Sequence, residues 1–152
     1  MIKVVQEATT HYNNWLEGAY YFAKGIPGFE MLKDFQIKPH NELFSFMVSI
    51  EDPDRSFIIV NPFDFYKDYE FELSEDNLGE LGISSSTQVG VRCIVTWHTN
   101  FEKASINLLA PLVFNLESKH AKQLVLQNTK YTTKHSLWDL KGVSDSQEGD
   151  DK

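Results

Sequence analysis

A single cysteine, Cys93, occurs in the 152 residues, which excludes an intramolecular disulfide and leaves no thiolate set for a structural zinc site. The histidines, His11, His40, His98, His120 and His135, lack the H-x-x-H and H-E-x-x-H spacings that put two ligands on one face. Also missing are a glycine-rich phosphate loop, a G-x-S-x-G elbow and a dinucleotide fingerprint. Neither metal, cofactor nor catalytic group is therefore expected. No apolar run approaches the roughly 18 residues of a spanning helix, and the opening "MIKVVQEATTHYNNW" has no apolar signal core. A soluble cytoplasmic protein that does not contact membranes follows as the expectation. Cations are scarce too: 14 lysines and arginines face 22 acids, for a net charge of −8. Such a balance argues against nucleic acid as a direct partner and allows for a basic protein.

What is present is unevenly placed. From Glu51 to Glu80 ten acids stand against Arg55 and Lys67, whereas Ser86 to Val143 carries seven basic residues and three acids. Any one carboxylate is most simply a solvated surface group, and the paired carboxylates Glu51/Asp52 and Glu70/Glu72 read that way rather than as an acid–base couple. The block as a whole suits a basic partner.

Period-two alternation dominates the chain. In "LFSFMVSI", Phe44, Phe46, Val48 and Ile50 share one face, expected to be the buried one, with Ser45, Met47 and Ser49 opposite. "YEFEL" sets Tyr69, Phe71 and Leu73 inward and Glu70 and Glu72 outward. "TQVGVRCIVTWHT" predicts a long strand with Val89, Val91, Cys93, Val95 and Trp97 inward and Gln88, Gly90, Arg92, Thr96 and His98 outward. That places Cys93 as a buried, inert thiol. "GAYYFAK", "FIIV", "LLAPLVFNL" and "KQLVLQ" add short strands separated by turn formers. One stretch breaks the period: "SEDNLGELG" predicts a short helix capped by Ser74 and stopped at Gly82. "GIPGFE", residues 25–30, packs two glycines and a proline into four positions and predicts a sharp turn that aims Phe29 inward and Glu30 outward. The architecture implied is mostly β: a small antiparallel β-barrel-like single domain over residues 1–143 with one or two short helices, because many short strands need their edges paired or covered. Residues 144–152 form an acidic tail too polar to pack.

With no chemistry in view, binding takes the weight. "VNPFDFYKDYEFEL" places Phe63, Phe65, Tyr66 and Tyr69 beside Asp64, Asp68 and Glu70, aromatic anchors within an acidic rim, although core packing is the commoner role for such rings. "GIPGFE", "SIEDPDRSFIIVNPFDFYKDYEFEL", "VTWHTNFEKASINLLAPLVFN" and "KQLVLQNTKYTTKH" follow in the order and spacing of the flagellar assembly factor FliW family, and from Ala19 to His135 the chain resembles it. The N-L-x-A-P-L-V-x-N element, Asn107 to Asn115, is the most specific part. Departures are the aromatic-rich segment before Gly25, Met47-Val48-Ser49 where Leu-Gln-Ser is usual, and the acidic tail. The resemblance implies a non-enzymatic partner switch that binds flagellin and, once released, binds and antagonises CsrA, the RNA-binding regulator that represses flagellin translation. On that footing a basic surface is expected to dock on the acidic block, steered by Asp64, Asp68, Glu70 and Glu72 and shaped by Asn61, Pro62 and Phe65. An alternative is a small-ligand-binding β-barrel carrier, its phenylalanines lining a hollow.

Overall fold

The computed structural model describes residues 1–6 and 16–138. The expected acidic tail, 144–152, and much of the aromatic-rich N-terminal segment lie outside them. The long alternating run becomes β7 (Val89–Thr96), and β7 organises the rest. On one side it pairs with β5 (Ser56–Val60), Ile58 opposite Val95 and Val60 opposite Cys93. On the other it pairs first with β9 (Leu112–Asn115), Val89 opposite Asn115, and then with β8 (Ser105–Ile106). β8 carries the short β11 (His135–Ser136) on its far edge.

From β5 the sheet runs back through β4 (Phe44–Ser49), β3 (Asp34–Pro39) and β2 (Gly18–Phe22), each antiparallel to the next. β2 then pairs with β10 (His120–Gln123), which pairs with β9 and so returns to β7. Seven strands therefore close into a barrel. The closing β2–β10 pair is parallel, Tyr21 beside His120, within an otherwise antiparallel barrel. A parallel pair needs a long crossover rather than a tight turn, and here most of the chain lies between its two strands.

The barrel is filled. Tyr20, Phe22, Phe35, Ile37, Met47, Ile59, Leu112 and Phe114 are all essentially inaccessible. Phe22 meets Phe35 and Phe114 edge to face at 5.3 and 5.8 Å, and Tyr20 meets Phe114 at 5.0 Å. Such pairs add to the burial of large apolar areas. Rings thus occupy the space that the carrier alternative required as a hollow.

A second core lies outside the barrel wall. Val89, Val91, Cys93 and Val95 on the outer face of β7 meet Phe63, Phe65, Tyr69, Phe71, Leu73, Leu78 and Leu81. This layer is covered by β6 (Phe71–Leu73), paired antiparallel with β1 (Ile2–Val4), and by helix α1 (Glu75–Leu81). The helix starts and stops as its sequence dictates. Ser74 Oγ accepts the Asn77 N–H at 3.2 Å. Gly82, at φ +68°, turns left-handed so that the Ile83 N–H reaches Leu78 O at 2.9 Å.

Three placements differ from expectation. On β4 it is Met47 and Ser49 that face the barrel interior, while Phe44, Phe46 and Val48 are half-buried on the outside and Ile50 is exposed. Both faces of this strand carry apolar side chains, so the period was legible but the choice of inner face was not. Trp97 is 46% exposed because β7 ends at Thr96. Arg92, expected outward, is buried on the barrel-facing side of β7, opposite Leu112.

The "GIPGFE" turn forms as read. Gly25 adopts φ +66°, and a Cβ there would lie 2.6 Å from Glu30 Cα and O, so only glycine fits. Phe29 packs on Phe57 at 5.6 Å beneath the Arg55 guanidinium, and Glu30 faces water.

Candidate partner-binding surface

Of the residues singled out by sequence, Asn61, Pro62, Asp64 and Phe65 belong to one turn. Asn61 leaves β5 in an extended conformation and its Oδ1 accepts the Phe63 N–H at 3.0 Å, capping a 3-10 turn over Pro62–Asp64. Proline suits the first position of that turn, where no amide is needed. Phe65 then drops into the outer core at 1% exposure, and Asn61 and Pro62 are buried as well. These three shape the surface from beneath; a docked partner would not touch Phe65 without rearrangement.

The acidic residues of the set divide among three clefts. Asp64 and Asp68 line one of about 760 Å³ together with Tyr66, Lys67, Tyr69, Lys130, Tyr131 and His135. Its walls are fixed by tyrosines: Tyr66 Oη donates to Ser136 O at 2.6 Å, Tyr69 Oη to Leu108 O at 2.8 Å, and Tyr131 packs edge-on to Tyr69 at 4.7 Å. Two lysines against two aspartates make this cleft mixed in charge. Asp64 also borders a smaller cleft of about 320 Å³ at the barrel mouth, with Asn61, Glu42 and Arg92. Burial pushes the Arg92 pKa down to about 10, the nearby Asp64 carboxylate opposing that shift, so the guanidinium stays charged at neutral pH. Its Nη1 donates to Val91 O at 2.7 Å. Glu70 and Glu72 project from the β6 flank into a third cleft, of about 430 Å³.

The acidic block is only partly free to meet a partner. Glu80 is held between Lys24 and Lys122 at 2.6 and 2.8 Å, and those two ammonium groups draw its pKa below the usual carboxylate value. Glu70 pairs with Lys3 at 2.8 Å, Glu75 with the amino terminus, and Glu51 accepts the Lys33 and Asp34 N–H groups. Asp68, Glu72 and Asp76 are exposed, and among the described residues no ion pair engages them. Asp52 and Asp54, in the turn between β4 and β5, are likewise exposed and outside the ion pairs of the described residues, so the free negative charge is narrower than the sequence block and lies in two places, that turn and the flanks of β6.

Cys93 is fully buried and its thiol is pushed well above the ordinary range by that burial. His135 Nε2 accepts the Thr132 N–H at 2.8 Å, and burial lowers its pKa. Among the described residues no cluster of His, Cys, Asp and Glu could hold a metal, and no helix is long and apolar enough to cross a membrane.

Two features escaped the sequence reading. Trp97, Phe101 and Trp138 form an exposed aromatic group, Trp97 lying parallel to Phe101 at 6.4 Å and Trp138 standing across both. Phe101 and Trp138 come from loops, where period carries no information. The other is the motif residue Asn115. Its Nδ2 donates to Leu81 O and Gly82 O at 2.8 and 3.2 Å, and its Oδ1 accepts the Glu117 and Ser118 N–H groups. One buried amide thereby ties the end of α1 to the turn after β9.

A closed seven-stranded barrel with a helix-covered outer layer is the class of fold that the described residues define. The family described as FliW protein matches residues 5–137, and the chain belongs to it. It is 43% identical over 119 residues, 77% of this chain and 82% of the relative, to the flagellar assembly factor FliW of Clostridium kluyveri. To the flagellar assembly factor FliW of Bacillus subtilis strain 168 it is 42% identical over 118 residues, covering 76% and 82%. A crystal structure of the flagellar assembly factor FliW superposes with a TM-score of 0.77 at 33% identity, over 80% of this chain and 86% of that one.

Proposed function

We propose that this protein is a non-enzymatic, cytoplasmic flagellar assembly factor that binds flagellin and, when flagellin leaves, binds and antagonises CsrA, relieving repression of flagellin synthesis. The observation that carries this reading beyond family membership is the exposed acidic flank of Asp68, Glu70 and Glu72 on a scaffold whose only thiol is sealed in the core. Exposed carboxylates recruit a basic protein by steering its approach and fixing its register. If flagellin and CsrA exclude each other, each weakens the other's binding by the same factor.

The test is a pull-down with purified CsrA and purified flagellin, separately and in competition. Each should be captured alone and each should displace the other. A chain carrying Glu70→Lys and Glu72→Lys should associate with the basic partner more slowly and show a flatter dependence on salt, with its own melting temperature unchanged. Equal affinity of the reversed and native chains at low salt would place the contact elsewhere on the molecule, and capture of neither protein would end the proposal.

A further inference from the structure

We propose that the cleft between β6 and residues 124–127 is a slot for one extended segment of a basic partner, which joins the protein as an added strand. The inference rests on the partner-binding reading above and specifies how that partner is held. Past β10 the chain stays extended: the Leu124 N–H donates to Pro111 O and the Leu126 N–H to Leu109 O, both at 2.9 Å. Successive amides of an extended chain point in opposite directions. Those of Val125 and Gln127 therefore face away from residues 109–111, toward the cleft, and no acceptor meets them among the described residues. The Val125 carbonyl receives only a long contact, 3.5 Å, from Gln127 Nε2. Across the cleft β6 is paired with β1 along one edge, and among the described residues no strand pairs with the other. One strand edge and one extended segment with outward amides thus line a groove of about 430 Å³; just before β6 the Glu70 N–H already donates to Tyr131 Oη at 3.2 Å.

Strand edges left open this way accept further strands, and main-chain pairing supplies the affinity while alternate side chains supply the choice of partner. Here the choice is written in the walls. Glu72 and the half-exposed Val125 stand on the solvent side, with Glu70 at the rim, while Phe71, Leu73, Leu124 and Leu126 turn toward the outer core. No lysine or arginine is among the residues lining the groove; the Met1 ammonium that reaches it is held by Glu75, and Glu70 is paired with Lys3, which leaves Glu72 as the carboxylate to be met. An incoming strand with Lys or Arg at its outward positions and apolar residues at its inward ones would pair with Glu72 and seat on the leucines. A second copy of this chain is a poor occupant, since its net charge of −8 opposes the same carboxylates. A helix is poorer still, because its amides are already used within it.

Val125→Pro removes one slot-facing amide while leaving the Leu124 and Leu126 bonds in place, and an open edge tolerates proline. We expect the variant to fold with an unchanged melting temperature and to bind its basic partner about tenfold more weakly. In the native protein the Val125 and Gln127 amides should slow in hydrogen exchange when the partner binds. Native affinity of Val125→Pro, or exchange at those amides unaltered by a bound partner, overturns the slot while leaving the switch function standing. Should the variant fail to fold, the exchange measurement on the native chain decides alone. If neither flagellin nor CsrA binds at all, a short synthetic peptide alternating lysine and valine still decides the slot by fluorescence anisotropy. It should bind, and its backbone N-methylated counterpart should not; equal binding or no binding by both overturns the proposal.

Discussion

The barrel interior and the β6 flank are made from the same alternating pattern and finish in opposite states. Inside the barrel every strand has two neighbours, closure removes the edges, and the rings of Phe22, Phe35 and Phe114 interlock with no exposure. On the flank the three-residue β6 pairs, among the described residues, on one side only, and its outward residue, Glu72, is a carboxylate. Stability is concentrated where backbone and side chains are both saturated, and recognition where one of the two is left open. A barrel is a suitable support for such a flank, since it holds the open edge in place without offering competing edges of its own.

The sharpest way to test that contrast is to cut into the barrel. Phe114→Ala removes a ring packed against Tyr20 and Phe22 and should cost about 3–5 kcal/mol in urea unfolding, enough to depopulate a marginally stable fold. A loss below about 1 kcal/mol would mean that the interior collapses around the gap and is not the rigid half of the molecule. At the junction between the two regions, Asn115→Ala leaves the Leu81 carbonyl and two turn amides without their partner. About 2–3 kcal/mol is expected there, with α1 opening to hydrogen exchange ahead of the barrel strands. If α1 and the barrel open together, the two regions are one cooperative unit.

The smallest effect should come from His135, which lines the mixed-charge cleft with Asp64, Asp68, Lys67 and Lys130. Burial lowers its folded pKa beneath the ordinary 6.5, and its Nε2 must stay unprotonated to accept the Thr132 N–H. Between the folded and unfolded values the unfolded chain holds more protons, so stability rises with pH across that window. The contribution is complete above about pH 6.5 and is lost as pH falls below it. His135→Gln should flatten the shallow slope of melting temperature over that range, and an unaltered slope would assign it to another group.

Much of this was legible because local patterns carry their own physics. Ser74 and Gly82 bound a helix in any context that permits one, the Tyr69, Phe71, Leu73 set had only one apolar face to bury, and Gly25 and Pro27 dictate a turn. The candidate surface was legible in part. Glu70 and Glu72 are exposed where alternation put them, but Phe65 is core, and the neutralisation of Glu70 by Lys3 and of Glu80 by Lys24 and Lys122 joins residues far apart in the chain. No local rule reports such encounters.

By itself the sequence determined a β-rich scaffold with an acidic stretch, because composition and period act over a few residues at a time. Only the tertiary structure decided which face of β4 looks inward, that β2 and β10 close the barrel in parallel, that Arg92 is buried, and which carboxylates remain free. Those outcomes depend on what the far parts of the chain bring alongside, and distance along a chain carries no record of distance in space.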